Sequence, residues 1–114
     1  MPVRQSDLLQ GTLELLILKV LSTAPNHGYG VALRIHQLSD DALRVEEGSL
    51  YPALYRLEER GLIDSEWGAT ENNRKARFYK LTRKGRGAAQ AELEGWLRLS
   101  GGVTRVLRAI EQGA

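Results

Sequence analysis

The chain alternates between stretches with two different hydrophobic periods. Leu9, Leu13, Leu16, Ile17 and Val20 recur three and four residues apart, which predicts a helix from Leu8 to Leu21. Ser6 or Asp7 can cap its start by accepting from the free first-turn N–H groups. Leu15, Leu18 and Leu21 widen the apolar surface beyond one stripe, so this helix is expected to touch its own domain and something beyond it. Pro25-Asn26-His27-Gly28 ends it with turn chemistry. A second helix follows from Tyr29 to Leu38, carried by Val31, Ile35 and Leu38, and Ser39-Asp40-Asp41 breaks it. The third begins between Glu46 and Ser49, with Leu50, Leu54 and Leu57 on its inner face. Pro52 places that start close by, because proline is tolerated in the first turn. Gly61 ends the helix as a residue free to turn left-handed.

From Leu62 the period drops to two. Ile63, Ser65 and Trp67 alternate with Leu62, Asp64 and Glu66, and Ala76 to Leu81 alternates again beyond a polar loop centred on Glu71-Asn72-Asn73. Two strands and a polar loop predict an antiparallel hairpin. Trp67, at the end of the first strand, is expected to plug the core. Thr82 is a good cap for a last helix from Arg83 to Leu99, whose face is Ala89, Leu93, Trp96 and Leu97. Gly101-Gly102 predicts a break or hinge, since two adjacent glycines cost roughly 2 kcal/mol in a helix. Val103, Val106, Leu107 and Ile110 then resume the amphipathic pattern.

Composition narrows the class. The 114 residues fit one domain, and only seven are aromatic, which favours packed helices over an all-β sandwich. With no cysteine there is no disulfide framework, no thiolate catalysis and no cysteine-bound metal. No segment approaches the roughly 20 apolar residues that span a bilayer, and the N-terminus lacks a leader-like apolar run. A cytoplasmic protein with no membrane partner is expected. The net charge of +2 matters less than its distribution. Residues 72–91 hold seven Lys and Arg and no acid, whereas the other 94 residues hold nine bases and all 14 acids. Such a cationic lobe is the footprint of a polyanion-binding surface.

Three helices followed by a hairpin with a basic loop is the element order of a winged helix-turn-helix. The expected fold is mainly α with a small β-hairpin wing: a winged helix-turn-helix head over residues 1–82 and a C-terminal dimerisation helix over residues 83–114. In such a head the third helix can enter a major groove about 12 Å wide while the wing reaches flanking phosphates. Winged helices also serve as protein-contact modules. A protein-interaction module without a DNA role is therefore the alternative.

Particular residues sharpen this reading. Leu13-Glu14-Leu15-Leu16-Ile17-Leu18, His27-Gly28-Tyr29-Gly30, Gly48-Ser49-Leu50-Tyr51-Pro52-Ala53-Leu54 with its continuation to Ile63, and Arg77-Phe78-Tyr79-Lys80-Leu81-Thr82-Arg83-Lys84-Gly85 resemble the PadR family of bacterial transcriptional regulators. The likeness runs over roughly residues 8 to 87, and the Gly-Ser-Leu-Tyr-Pro-x-Leu block is its most specific part. It implies a homodimeric repressor whose last helix forms the dimer contact, with a short C-terminal region typical of the smaller class. Some relatives respond to phenolic acids or other hydrophobic compounds.

The expected DNA-facing residues are Tyr29 at the start of the second helix; Ser49, Tyr51, Tyr55 and Arg56 on the third; and Arg74, Lys75 and Arg77 on the wing. Tyrosine offers a hydroxyl to phosphate and a ring to sugar or thymine methyl. Arg56, two turns in, suits phosphate better than a base. Gly28 and Gly30 either open the helix start to a phosphate oxygen or relieve crowding. Arg83, Lys84 and Arg86 crowd a helix N-terminus, against the macrodipole. The dimer contact is expected from Leu93, Trp96, Leu97, Val103, Val106, Leu107 and Ile110, aided by Leu9 and Leu13 of the first helix. Trp96 has two readings: a dimer-core side chain, or one wall of an effector pocket for a small hydrophobic or aromatic molecule. His27 and His36 have no metal-ligand spacing, and no nucleophile–base pattern or dinucleotide fingerprint is present. Neither cofactor, metal nor catalysis is expected, and the expected partner is double-stranded DNA carrying a pseudo-palindromic operator.

Overall fold

The computed structural model describes residues 3–4 and 10–113, with side chains from residue 11 onward. Leu9, and the caps Ser6 and Asp7, lie outside the described residues. The elements run β1 (Val3–Arg4), α1 (Gln10–Leu21), β2 (Asn26–His27), α2 (Gly28–Leu38), β3 (Leu43–Arg44), α3 (Glu47–Glu59), β4 (Ile63–Ala69), β5 (Lys75–Leu81) and α4 (Arg83–Glu111). This is the winged helix-turn-helix order.

The apolar breadth of α1 is used inside the chain. α1 packs against α2, α3 and α4, so Leu13, Ile17, Leu18 and Leu21 join Val31, Ile35, Leu50, Leu54, Leu57 and the sheet residues Ile63 and Leu81 in one core. Leu13 is only 3% exposed. The expectation that it helps form a dimer contact is corrected: a central helix needs apolar residues on most of its circumference simply to satisfy three neighbours.

The sheet has three strands rather than two, in the order β2-β5-β4. Asn26 and His27 pair antiparallel with Tyr79 and Phe78, which ties the turn before α2 to the root of the wing. Val3–Arg4 adds a short parallel pairing with Leu43–Arg44. Each boundary has a local cause. His27 caps α2, its Nδ1 accepting from the Gly30 N–H at 3.1 Å. Gly61 takes φ +74° after α3. Thr82 caps α4 by accepting from the Gly85 N–H at 3.0 Å, and its hydroxyl donates to the Gly61 carbonyl at 2.7 Å. Pro52 falls in the second turn of α3, where it cannot supply the helical donor to the Gly48 carbonyl.

The glycine pair does not break the last helix. α4 runs unbroken for 29 residues, about 43 Å at 1.5 Å per residue. Leu93, Trp96, Val103, Leu107 and Ile110 keep one three-and-four spacing across Gly101-Gly102. The helical stripe therefore stays in phase, and backbone hydrogen bonding through the final turns offsets the glycine cost. Only Gly85 and Ala89 of α4 are buried. Its distal half stands clear of the head, which gives the molecule a 58 Å long axis.

Candidate nucleic-acid interface

The start of α2, one side of α3 and the wing enclose an open groove of about 880 Å³, lined among others by Tyr29, Arg34, Tyr51, Arg74, Lys75 and Arg77. Tyr29 is 67% exposed and its ring lies parallel to His27 at 6.4 Å. Tyr51 lies across Gly28: a Cβ there would come within 2.8 Å of the Tyr51 ring. Gly28 thus permits a close approach between α2 and α3, and one ring covers the junction between the two helices.

The wing tip is a tight turn held by its own backbone. Thr70 N–H donates to the Arg74 carbonyl at 2.8 Å, and Asn73 N–H to the Thr70 carbonyl at 2.8 Å. Asn73 adopts φ +58°, a left-handed conformation that Asn tolerates. The Thr70 hydroxyl accepts from Arg74 N–H. Arg74 and Lys75 are exposed on this rigid tip.

Arg77 is held more firmly. Its Nε donates to Ser65 Oγ at 2.8 Å, and its guanidinium lies 3.8 Å from Glu58, which accepts from the Ser65 hydroxyl at 2.6 Å. Burial, reinforced by the Glu58 carboxylate, holds the neighbouring Tyr79 phenol above its ordinary value, while Arg77 opposes the rise.

The other expected residues of α3 lie outside this groove. Ser49 is half-buried and Tyr55 exposed. The Tyr55 hydroxyl bonds Glu59, whose carboxylate raises the phenol above its ordinary value. Its ring remains available, but an acid sits beside its polar tip. Arg56 is engaged elsewhere: its Nε donates to Glu14 of α1 at 3.1 Å, and Arg60 approaches the same carboxylate at 3.6 Å. Glu14 is 5% exposed. The Nε of Arg56 therefore faces a buried charge of the head, while the side chain stays 36% exposed.

Several features of this surface were missed from the sequence. Arg34 lines the groove, but it lies outside the acid-free window that drew attention to residues 72–91. Glu47 is exposed in the first turn of α3, where a carboxylate complements the macrodipole and, against a base edge, could only accept, as from cytosine N4. Lys84 resolves the crowding of bases at the start of α4: its Nζ donates to the Arg60 carbonyl at 2.9 Å, at the negative end of α3. Trp67 is not a core plug. It is 60% exposed, beside Lys75 and Arg77.

Among the described residues no group of His, Cys, Asp and Glu could hold a metal ion, and no helix is long and apolar enough to cross a membrane. On α4, Trp96, Leu97, Val103, Val106, Leu107 and Ile110 are 41–65% exposed, while Leu93, nearer the head, is half-buried.

Comparison with known proteins matches residues 17–91 to the transcriptional regulator PadR-like family. A transcriptional regulator from Clostridium thermocellum superposes with a TM-score of 0.76 at 26% identity, over 84% of this chain and 93% of that one. A PadR-like transcriptional regulator from Bacillus cereus gives 0.73 at 29% identity, over 87% and 94%. A PadR family transcriptional regulator from Eggerthella lenta gives 0.70 at 32% identity, over 86% and 83%. With the wing, the capped helices and the Gly-Ser-Leu-Tyr-Pro block all inside the matched region, the chain belongs to the PadR-like family of transcriptional regulators.

Proposed function

We propose that this regulator binds double-stranded DNA sequence-specifically as a homodimer and represses transcription from a pseudo-palindromic operator. The observation that carries the reading is the groove in which Tyr29, Tyr51, Arg74 and Lys75 converge from α2, α3 and the wing. Backbone phosphates would be met by the wing cations and by Tyr29, and base edges by the N-terminal part of α3 around Ser49, with Tyr51 and Tyr55 flanking. Arg77 reinforces the wing from its anchored position. Arg56 is left out of this set because Glu14 holds it.

Dimerisation is assigned to α4. Seven large apolar side chains, Leu99 among them, left open on a helix that stands away from its own core need a partner, and a second copy of the same stripe supplies one. The head, residues 1–82, then reads DNA while residues 83–114 set the distance between two heads. Two recognition helices about 34 Å apart would match one turn of duplex. A regulator of this kind works in the cytoplasm, where bacterial DNA lies. Repression follows from occupancy of a promoter. Release would come from anything that shifts the spacing of the heads, since simultaneous engagement supplies much of the effective affinity. Trp96, partly exposed between the head and the free end of α4, is the place where a planar hydrophobic effector would act on that spacing.

Selection of bound duplexes from a random library tests the reading. Enrichment of an inverted repeat with half-sites one turn apart is expected. No enrichment, with little binding even at low salt, would favour the protein-interaction module instead. For the effector, Trp96→Ala should weaken binding of hydrophobic compounds while the dimer persists. Loss of the dimer would make Trp96 a packing residue only.

A further inference from the structure

The wing carries a feature that neither its fold nor its charge requires. Trp67 lies on β4 directly across from Arg77 on β5, and Lys75 is one diagonal step away. The Lys75 ammonium is 4.9 Å from the centre of the Trp67 ring, and the Arg77 guanidinium carbon 5.4 Å. Both distances fall within the range of cation–π attraction. The ring itself is 60% exposed, so it adds little to the core. Arg77 is also fixed by Ser65 and Glu58, whereas for Lys75 the ring is the contact that holds its long side chain.

We propose that Trp67 is a positioning residue of the wing: its ring holds the Lys75 ammonium, and secondarily the Arg77 guanidinium, in the place where each meets a DNA phosphate. The proposal rests on the reading of the wing as a DNA contact. A lysine side chain loses most of its rotamer freedom when it is pinned against phosphate. If the ring has already restricted it in the free protein, that loss is not incurred on binding. The ring changes how strongly the cations bind and leaves their number unchanged. This separates a positioning role from a phosphate contact, because the slope of log affinity against log salt counts the phosphates neutralised.

The test measures binding of the full chain to a fluorescein-labelled mixed-sequence duplex of about 30 base pairs, long enough for two half-sites, from about 50 to 200 mM salt. Trp67→Ala should weaken binding about 3- to 10-fold at every salt concentration, with the salt slope unchanged. Trp67→Leu, which keeps apolar bulk but lacks a π face, should match the alanine variant, and Trp67→Phe should recover part of the loss. With Lys75 and Arg77 both changed to alanine, Trp67→Ala should have no further effect. Wild-type affinity in both the alanine and the leucine variants would overturn the proposal. So would an undiminished loss without Lys75 and Arg77, which would mean that the ring touches DNA itself. If Trp67→Ala does not fold, the leucine and phenylalanine variants decide alone. A wild-type chain that binds no duplex at any salt would refute the DNA reading itself and this proposal with it.

Discussion

Arg56→Ala distinguishes a strut of the head from a phosphate contact. Glu14 is a carboxylate at 5% exposure with two cationic neighbours, Arg56 at 3.1 Å and Arg60 at 3.6 Å. Removing one partner of a buried ion pair costs about 3–5 kcal/mol, chiefly because the remaining charge is left unpaired in a low dielectric. Here Arg60 stays in place, and the Arg56 side chain is 36% exposed, so solvent already screens part of the attraction. A loss of about 2 kcal/mol is expected, or a fall in Tm of about 6–12 °C for a domain of this size. Urea unfolding followed by circular dichroism should show a lower midpoint with an unchanged m-value. Removing Glu14 as well, in Glu14→Gln with Arg56→Ala, should cost less than the two single changes added together, since neither then leaves an orphaned partner. DNA binding at a temperature where the variant is folded should keep its salt slope. A phosphate ligand would behave in the opposite way. Stability would stay within about 0.5 kcal/mol of wild type, and the salt slope would drop by about one. That result would refute the assignment of Arg56 to the head.

Three further outcomes follow from local geometry. Burial pushes the Glu92 carboxyl above the ordinary carboxylate range, Glu14 adds to the rise and Arg60 opposes it; one Glu92 oxygen is buried without a hydrogen-bond partner. The folded chain therefore holds this proton more tightly than the unfolded one, and the stabilisation this provides is lost as pH rises through the raised value. Glu92→Gln should raise Tm at pH 7, and the gain should vanish below about pH 4, near the unfolded carboxylate value; an equal gain at both pH values would exclude this cause. Gly85→Ala should destabilise by about 2–3 kcal/mol in thermal melts, because its Cβ would run into the Leu62 carbonyl that accepts from Thr82 N–H; an unchanged melt would show that α4 can shift at no cost. Gly28→Ala should displace the exposed Tyr51 ring, costing less than about 1 kcal/mol of stability but lowering duplex affinity in anisotropy titrations; unchanged affinity would remove Tyr51 from the interface.

Local signals were legible in the sequence wherever one residue decides an outcome. Gly61 and Thr82 punctuate the helices as their residue types predict, because a left-handed turn and an N-cap depend on a few adjacent atoms. The inner face of α3 followed from spacing alone, as did Val31 and Ile35 of α2, whereas Leu38, the third position of the expected α2 stripe, lies at the helix end and is 63% exposed. Long-range pairing was not legible. Glu14 and Arg56 lie 42 positions apart, and nothing in either neighbourhood marks them as partners. β2 escaped because two residues are too short for alternation to show, and Asn26-His27 reads equally well as a turn. Trp67 has the sequence pattern of a core residue because strand alternation continues past the point where the wing leaves the body. Side chains on the core-facing side of β4 are buried at Ile63 and open at Trp67. Gly101-Gly102 misled in the other direction, since a helix-wide hydrogen-bond ladder outweighs a two-residue propensity. Arg34 carries no signal in the distribution of charge along the chain, because the groove gathers charge in space.

Hydroxyl-radical footprinting of the full chain on a duplex recovered by selection tests the central claim most directly. Two protected patches on one face of the helix, separated by about 10 base pairs and lost together when Val103 and Ile110 are changed to glutamate, are the predicted result. A single patch that survives those changes, or no protection at a concentration that saturates the selection, would contradict a pair of heads joined through their C-terminal helices.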